Sequence, residues 1–342
     1  MNLTFKKKLP TPEEILRELP VPVAMMQIKK RRDKELEAIF RGTDDRLLLI
    51  IGPCSAHDPD AVCEYVGRLS RLQDKVKDRL LLVPRIYTNK PRTTGEGYKG
   101  MLHQPDHQRE PDVSAGIRAI RGLHIRALGE SHMAAADEML YPGNYPYLED
   151  VLAYVAIGAR SVENQQHRLT VSGLDIPVGM KNPTSGDPRI MLDSVLAAQL
   201  PHRFVYNNWE VETNGNPLAH AVLRGSVDRF GHHYPNYHYE DLQKVADMYA
   251  ERDLQNPAII VDTNHSNSGK KFTEQPRIAR DVLHSRKNSP DIKKIVRGLM
   301  IESFLEEGNQ SPDGTVYGKS ITDPCMKWSD SEALVQDLAT QV

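Results

Sequence analysis

The sequence predicts a (β/α)8 barrel with an N-terminal helical extension, and three observations carry that expectation. Eight short apolar runs recur from about residue 46 onward, separated by amphipathic stretches of helical length, the pattern of βαβ units around a parallel sheet. Eight strands and eight helices over roughly 300 residues is the count of one barrel. No G-x-G-x-x-G opens any unit, which disfavours a dinucleotide-binding fold. Periodicity does not reveal closure, so a doubly wound open sheet stands as the alternative.

Residues 1–43 form the extension, serving oligomerisation or regulation. Thr11-Pro12-Glu13-Glu14 has capping-box spacing with proline in the first turn, so a helix begins there. A second helix follows Pro22, passes through Lys29-Lys30-Arg31-Arg32 to Phe40 and stops at Gly42. Because Asp33, Glu35 and Glu37 follow the basic tetrad, it reads as a solvated face and not as a nucleic-acid patch. The catalytic barrel then occupies 44–342. Strands are expected at 47–52, 80–85, 133–138, 155–160, 177–181, 220–224, 258–262 and 298–302, and helices at 60–76, 113–128, 147–154, 164–174, 187–200, 239–254, 275–284 and 329–341. Two long segments, 88–112 and 225–238, follow strands and therefore belong to the face where a barrel keeps its chemistry.

Bulk properties exclude several classes. Lys plus Arg number 44 against 46 Asp plus Glu, a net charge of -2, which argues against coating nucleic acid or an acidic membrane. A hydrophobic share of 39% can build a sizeable core. The longest compact apolar run, 47–51, falls far short of the roughly 20 residues of a membrane helix. The lysines at 6–8 precede no apolar stretch, so no secretion signal is expected. Three cysteines, Cys54, Cys63 and Cys325, suit a reducing cytosol better than a disulfide framework.

The residues at or just past the strand ends are Cys54, Arg85, Glu138, Arg160, Lys181, Arg224, His265 and Glu302. Any one of them has an ordinary structural explanation, but eight ionisable or metal-binding types in succession form a ring that a core does not need. Arg85, Lys90, Arg92, Arg160, Lys181 and Arg224 concentrate positive charge at one mouth, suited to a polyanionic small substrate. Lys90-Pro91-Arg92-Thr93-Thr94-Gly95 adds hydroxyls and backbone N–H groups, a phosphate cradle unlike a P-loop. Cys54, His265, Glu302 and Asp323 mix S, N and O donors, which suits a divalent transition metal more than Mg²⁺ or Ca²⁺.

Eight motifs occur in order: Gly52-Pro53-Cys54-Ser55-Ala56-His57-Asp58, Lys90-Pro91-Arg92-Thr93-Thr94, Ile157-Gly158-Ala159-Arg160, Pro177-Val178-Gly179-Met180-Lys181-Asn182, Leu223-Arg224-Gly225, Val261-Asp262-Thr263-Asn264-His265-Ser266-Asn267-Ser268, Gly298-Leu299-Met300-Ile301-Glu302-Ser303 and Ser320-Ile321-Thr322-Asp323-Pro324-Cys325. In this series the chain resembles the type I 3-deoxy-D-arabino-heptulosonate 7-phosphate (DAHP) synthases. These transferases condense phosphoenolpyruvate with erythrose 4-phosphate and water, the entry step of the shikimate pathway to chorismate and the aromatic amino acids. The resemblance implies a metal-dependent (β/α)8 barrel, a cytoplasmic homodimer or homotetramer with neither nucleic acid nor membrane as partner. It makes Cys54, His265, Glu302 and Asp323 ligands of one divalent ion per subunit, Mn²⁺ foremost, with Fe²⁺, Co²⁺ or Zn²⁺ as alternatives. It places Arg160 and Arg224, with Ala159, at the phosphoenolpyruvate phosphate, and Lys181, Arg85 and Lys90 near its carboxylate and the reacting centre. Glu138 borders that site, and Pro91, Arg92 and Thr93 contact the sugar phosphate.

Arg85, Lys90, Glu138 and Lys181 are thus the candidate catalytic residues. Lys90 is expected to protonate the nascent alkoxide, with Arg85 and Arg92 lowering its pKa, and Glu138 to orient the attacking water. Two further expectations follow. Residues 205–214 are shorter than the hairpin that helps build the effector site in feedback-inhibited members, so inhibition by Phe, Tyr or Trp should be weak or absent. Cys325 stands two residues past Asp323, so loss of metal could permit a disulfide with Cys54. A 3-deoxy-D-manno-octulosonate 8-phosphate synthase is the nearest rival, disfavoured by the Lys-Pro-Arg-Thr motif. A catalytically silent sugar-phosphate-binding paralogue is disfavoured by the intact metal set.

Overall fold

The computed structural model describes residues 1–106 and 108–342. Helix α1 (Pro12–Glu18) begins at the expected capping box: Thr11 Oγ1 accepts from the Glu14 N–H, and the Glu14 carboxylate accepts from the Thr11 N–H. Helix α2 (Val23–Arg41) stops at Gly42, whose φ of 74° provides the left-handed turn at the helix end. The barrel follows as β1 (Leu47–Gly52), α3 (Pro59–Val76), β2 (Leu80–Pro84), α4 (Val113–Ser131), β3 (Ala135–Glu138), β4 (Leu152–Ile157), α5 (Gln165–Val171), β5 (Val178–Lys181) and α6 (Pro188–Gln199). A hairpin, β6 (Arg203–Tyr206) and β7 (Trp209–Glu212), interrupts the alternation before β8 (Ala219–Leu223). A smaller one, β9 (Ser226–Val227) with β10 (His233–Tyr234), leads into α7 (Tyr239–Ala250), β11 (Ile259–Asp262), α8 (Gln275–Asn288), α9 (Pro290–Ile295), β12 (Val296–Glu302) and α10 (Trp328–Gln341).

The eight long-sheet strands are parallel in the order β2-β1-β12-β11-β8-β5-β4-β3. The ring closes between β2 and β3 on a single bridge, Arg85 with Ala136, where the Ile86 N–H donates to the Ala136 carbonyl at 2.9 Å. The apolar runs serve two faces at once. Leu47, Leu49 and Ile51 pack with the surrounding helices, while Leu48 and Ile50 join Leu81, Val83, Ala136, Tyr154 and Met300 in the barrel interior. Helix α2 enters that interior with Leu36, Ile39 and Phe40, whose ring stacks on His220 at 4.2 Å between centroids and on Tyr154 at 6.4 Å. Burial pushes the His220 imidazole down to about 4. It is neutral, donating from Nδ1 to the Leu218 carbonyl and accepting the Tyr154 hydroxyl at Nε2.

Three local expectations are corrected. The helix expected at 147–154 is absent: a 3₁₀ helix, Pro142–Tyr147, ends where it should begin, and β4 begins at Leu152, three residues before the expected start. Arg160 therefore lies in a turn past Gly158, beyond the strand end. Strands β6 and β7 form a hairpin over the stretch read as a shortened one; Asn207 and Asn208, with φ of 47° and 66°, turn it. Helix α9 is capped by Ser289, whose hydroxyl accepts from the Ile292 N–H.

Candidate active site

A cavity of about 150 Å³ opens at the C-terminal ends of the strands. Arg85 follows β2 directly, Glu138 and Lys181 are the last residues of β3 and β5, and Arg224 follows β8. With Ala159 and Arg160 from the β4 turn, and Lys90, Pro91 and Arg92 from the loop after β2, they wall one space with His265 and Asp323. Gly158 permits the crowding, because a Cβ there would collide with Glu138 Oε1. Thr93 does not reach this space: it is exposed on the loop and absent from the lining.

Three of the four expected metal ligands meet. Sγ of Cys54, which lies two residues past β1, and one carboxylate oxygen each of Glu302 and Asp323 lie within 4.8 Å of one another, the one such group found among the described residues. His265 stands outside that group but next to it, its Nε2 3.8 Å from Glu302 Oε1. Its other nitrogen, Nδ1, lies 2.8 Å from Asp262 Oδ2, which fixes the ring so that Nε2 faces the acids. A thiol, two carboxylates and an oriented imidazole around one point is a donor set that fits a divalent transition ion.

Cations hold the acids charged. Arg85 Nη1 bonds Glu302 Oε1 at 2.5 Å, with both side chains buried. Burial opposes the Glu302 carboxylate, yet Arg85, His265 and Lys90 hold it below its ordinary pKa. Asp323, 3.6 Å from Lys90 and 3.8 Å from Lys270, is likewise held well below the carboxylate range. Lys90 Nζ lies 2.6 Å from Cys54 Sγ. Here an expectation fails. Burial works against the Lys90 ammonium and Arg85 adds to that effect, but Cys54, Asp323 and Glu302 outweigh them and hold its pKa above the ordinary lysine value. Cys54 is pushed up to about 11 by burial and by Glu302. The expected disulfide partner, Cys325, is buried two residues past Asp323, and both thiols are free.

Seven of the lining side chains are Lys or Arg and two are acids, so the space is built for an anion of several charges. Arg224 is buried and its Nη1 has no partner among the described residues. Burial lowers its pKa, Asp262 opposes that, and neighbouring Arg160 adds to it. Lys181 sits 3.4 Å from Asp262 Oδ2 and 5.8 Å from the Tyr87 ring, over which Arg85 is stacked at 4.0 Å.

Sequence reading passed over several contributors. Asp262, last residue of β11, anchors both Lys181 and His265; it was legible as an ionisable strand end but was displaced by His265 three residues on. Asn264 donates to Glu302 Oε2 at 2.6 Å, and the Gln275 amide clasps the Glu302 backbone at both N–H and carbonyl. Lys270, with φ of 63°, lines the cavity from two residues past the Val261–Ser268 motif.

Known proteins share this architecture. Residues 23–336 match the DAHP synthetase I family. The Phe-sensitive phospho-2-dehydro-3-deoxyheptonate aldolase of Escherichia coli K12 is 38% identical over 98% of this chain and 95% of its own. The Trp-sensitive enzyme of Enterobacter agglomerans is 39% identical over 97% and 94%. The structure of the phospho-2-dehydro-3-deoxyheptonate aldolase from Francisella tularensis SCHU S4 superposes with a TM-score of 0.93 at 32% identity, covering 100% of this chain and 98% of that one. With barrel, cation-lined cavity and full-length relatives in agreement, the chain belongs to the DAHP synthetase I family and is an enzyme of the first step of the shikimate pathway.

Proposed function

We propose that the cavity holds phosphoenolpyruvate and erythrose 4-phosphate together and that its residues divide the work as follows. Arg160 and Arg224 take the phosphoenolpyruvate phosphate, which gives the unpartnered Arg224 Nη1 its acceptor. Lys181 and Arg85 hold the carboxylate side; both are fixed beforehand, by Asp262 and Glu302, so little alignment remains to be paid on binding. Arg92 receives the sugar phosphate, with Pro91 in the wall beside it and Thr93 next on the same loop. Cys54, His265, Glu302 and Asp323 would hold the divalent ion, which when bound supplies Lewis-acid polarisation of the aldehyde oxygen. Lys90, kept protonated, delivers a proton to the oxygen that becomes an alkoxide as C3 of phosphoenolpyruvate bonds to the aldehyde carbon. Glu138 orients the water that adds at C2, after which phosphate leaves.

The observation that carries this reading is the facing of a seven-cation wall and a mixed sulfur–oxygen donor group across one small cavity. The test is phosphate release from phosphoenolpyruvate with erythrose 4-phosphate or arabinose 5-phosphate, with and without chelator. Release with the four-carbon sugar alone, abolished by chelator and restored by Mn²⁺, is expected; preference for the five-carbon sugar overturns the assignment of substrate, and full activity in chelator overturns the assignment of the ligands. No helix among the described residues is long and apolar enough to cross a membrane. The same reading has the enzyme working in the cytoplasm as a homodimer or homotetramer, which sedimentation equilibrium tests.

A further inference from the structure

Asp137 lies immediately before Glu138, buried at 2% exposure, and none of the roles above uses it. Its carboxylate is fully committed. Oδ1 accepts the Thr88 N–H at 2.9 Å and the Glu138 N–H at 2.7 Å; Oδ2 accepts the Thr88 hydroxyl at 2.5 Å and faces His124 Nε2 of α4 at 3.2 Å. Thr88 and His124 are as buried as Asp137. The location gives these bonds their meaning. Every other neighbouring pair of barrel strands shares at least three paired positions, but β2 and β3 share one, Arg85 with Ala136. Above that bridge the backbone ladder stops, and the Asp137 side chain continues the closure. On one side of the seam it grips the strand end that carries Glu138. On the other it grips Thr88, two residues before Lys90, at the root of a loop pinned by the Asn89–Gly100 bridge and by the Lys90 N–H donating to the Lys99 carbonyl.

We propose that Asp137 is a positioning residue which, through Thr88, sets the distance between Lys90 and Glu138 across the weak seam of the barrel. The inference rests on the functional reading above, in which those two groups serve opposite ends of the reacting system. Arg160, Lys181 and Arg224 come from other parts of the ring, and Arg85, below the Asp137 bonds, is held by Glu302 of β12, so the hold on phosphoenolpyruvate does not depend on those bonds. The test uses Mn²⁺-loaded enzyme and compares Asp137→Ala, Asp137→Asn and Thr88→Val with the parent, recording kcat and both KM values per active site together with the melting temperature. Asp137→Ala should lower kcat about 10- to 100-fold, the scale of an ångström-sized misplacement, with the KM for phosphoenolpyruvate within about twofold of the parent. Asp137→Asn keeps an oxygen for both N–H groups and can donate to the Thr88 hydroxyl, so it should recover most of kcat. Thr88→Val retains the backbone bond alone and should fall between them; it also decides the matter should Asp137→Ala not fold. Parental kcat in Asp137→Ala or Thr88→Val overturns the inference, as does an Asp137→Asn enzyme as slow as the alanine variant or a fall in activity tracking only the folded fraction. The parent run alongside separates this from failure of the functional reading, which would show as a parent releasing no phosphate with erythrose 4-phosphate.

Discussion

At the N-terminal end of the barrel Phe40 stacks on a neutral, buried His220 and Tyr154 closes the layer, so α2 seals the interior with rings and aliphatic side chains. At the C-terminal end the same strands end at or just before Arg85, Glu138, Lys181 and Glu302, and the charged side chains that line the space are mostly cations. The sealed end gains stability from apolar contact. The open end crowds like charges and leaves a buried guanidinium nitrogen without a partner, arrangements that cost stability and are repaired only when an anion arrives. Substitutions at the two ends should therefore separate cleanly into those that move stability and those that move kinetics.

The largest effect belongs to the sealed end. Phe40→Ala should cost about 3–5 kcal/mol of folding free energy, the range for a large aromatic removed from a packed core, while kcat and both KM values at 25 °C stay parental. Urea unfolding beside steady-state assays checks this, and a variant of parental stability would show that α2 does not plug the barrel. Arg224→Ala should do the reverse: kcat/KM for phosphoenolpyruvate falls about 100- to 1,000-fold, the range for losing one side of a buried charge pair. Its melting temperature should hold or rise, because burial already opposes that charge in the free enzyme. A lower melting temperature with intact kinetics would reverse the assignment.

The two ends were not equally legible in the sequence. The open end was, since strands are short and their last residues are chemically conspicuous; Arg85, Lys181, Arg224 and Glu302 could be placed by locating each strand within a residue or two. Arg160 was reached for a partly wrong reason, as a strand end when it sits in a turn past Gly158. Phe40 and His220 gave no such signal, because an aromatic residue on an amphipathic helix and a histidine in an apolar run look the same whether they meet or not. What Asp262 and Asp137 do was hidden for another reason: Lys181 at the end of β5 and Thr88 past β2 are brought to them only by the closed ring. The Lys90 pKa failed because counting nearby arginines along the sequence missed Cys54, Asp323 and Glu302, which the fold brings closer.

The pH dependence of stability offers a third contrast. His220 has an unfolded value of 6.5 and a folded one of about 4, set by burial. Above pH 6.5 neither state is protonated and the full stability is present; as pH falls from 6.5 toward 4 the unfolded chain takes up a proton that the folded one refuses, and up to about 3 kcal/mol is lost. Asp262 and Asp323 at the open end are held below the carboxylate range, so their contribution is lost only at more acidic pH. Urea midpoints between pH 4 and 7.5 should therefore slope in the parent and flatten in His220→Gln. An unchanged slope in the variant would assign the loss to other groups.

The smallest expected effect lies on the flank, away from both ends. Relatives described as Phe-, Tyr- and Trp-sensitive all match this chain at 37–39% identity, so overall likeness does not separate one effector from another, or an effector from none. The discriminating feature has to be local, and the β6–β7 hairpin is the local candidate. Its strands are four residues each, its turn is only Asn207-Asn208, and Val205 and Trp209 beside the turn are 70% and 74% exposed. A hairpin that short leaves Val205 and Trp209 in solvent and only Phe204, Tyr206 and Val211 half-buried, so it offers little surface to differ between a liganded and an unliganded state, which coupling between sites requires. Phe, Tyr or Trp at millimolar concentration should each change the rate by less than about fivefold, the lower end of typical allosteric coupling. Inhibition by any one of them well beyond that would mean that the short hairpin still closes over an effector, and would move regulation from an absent third region of the molecule to a present one.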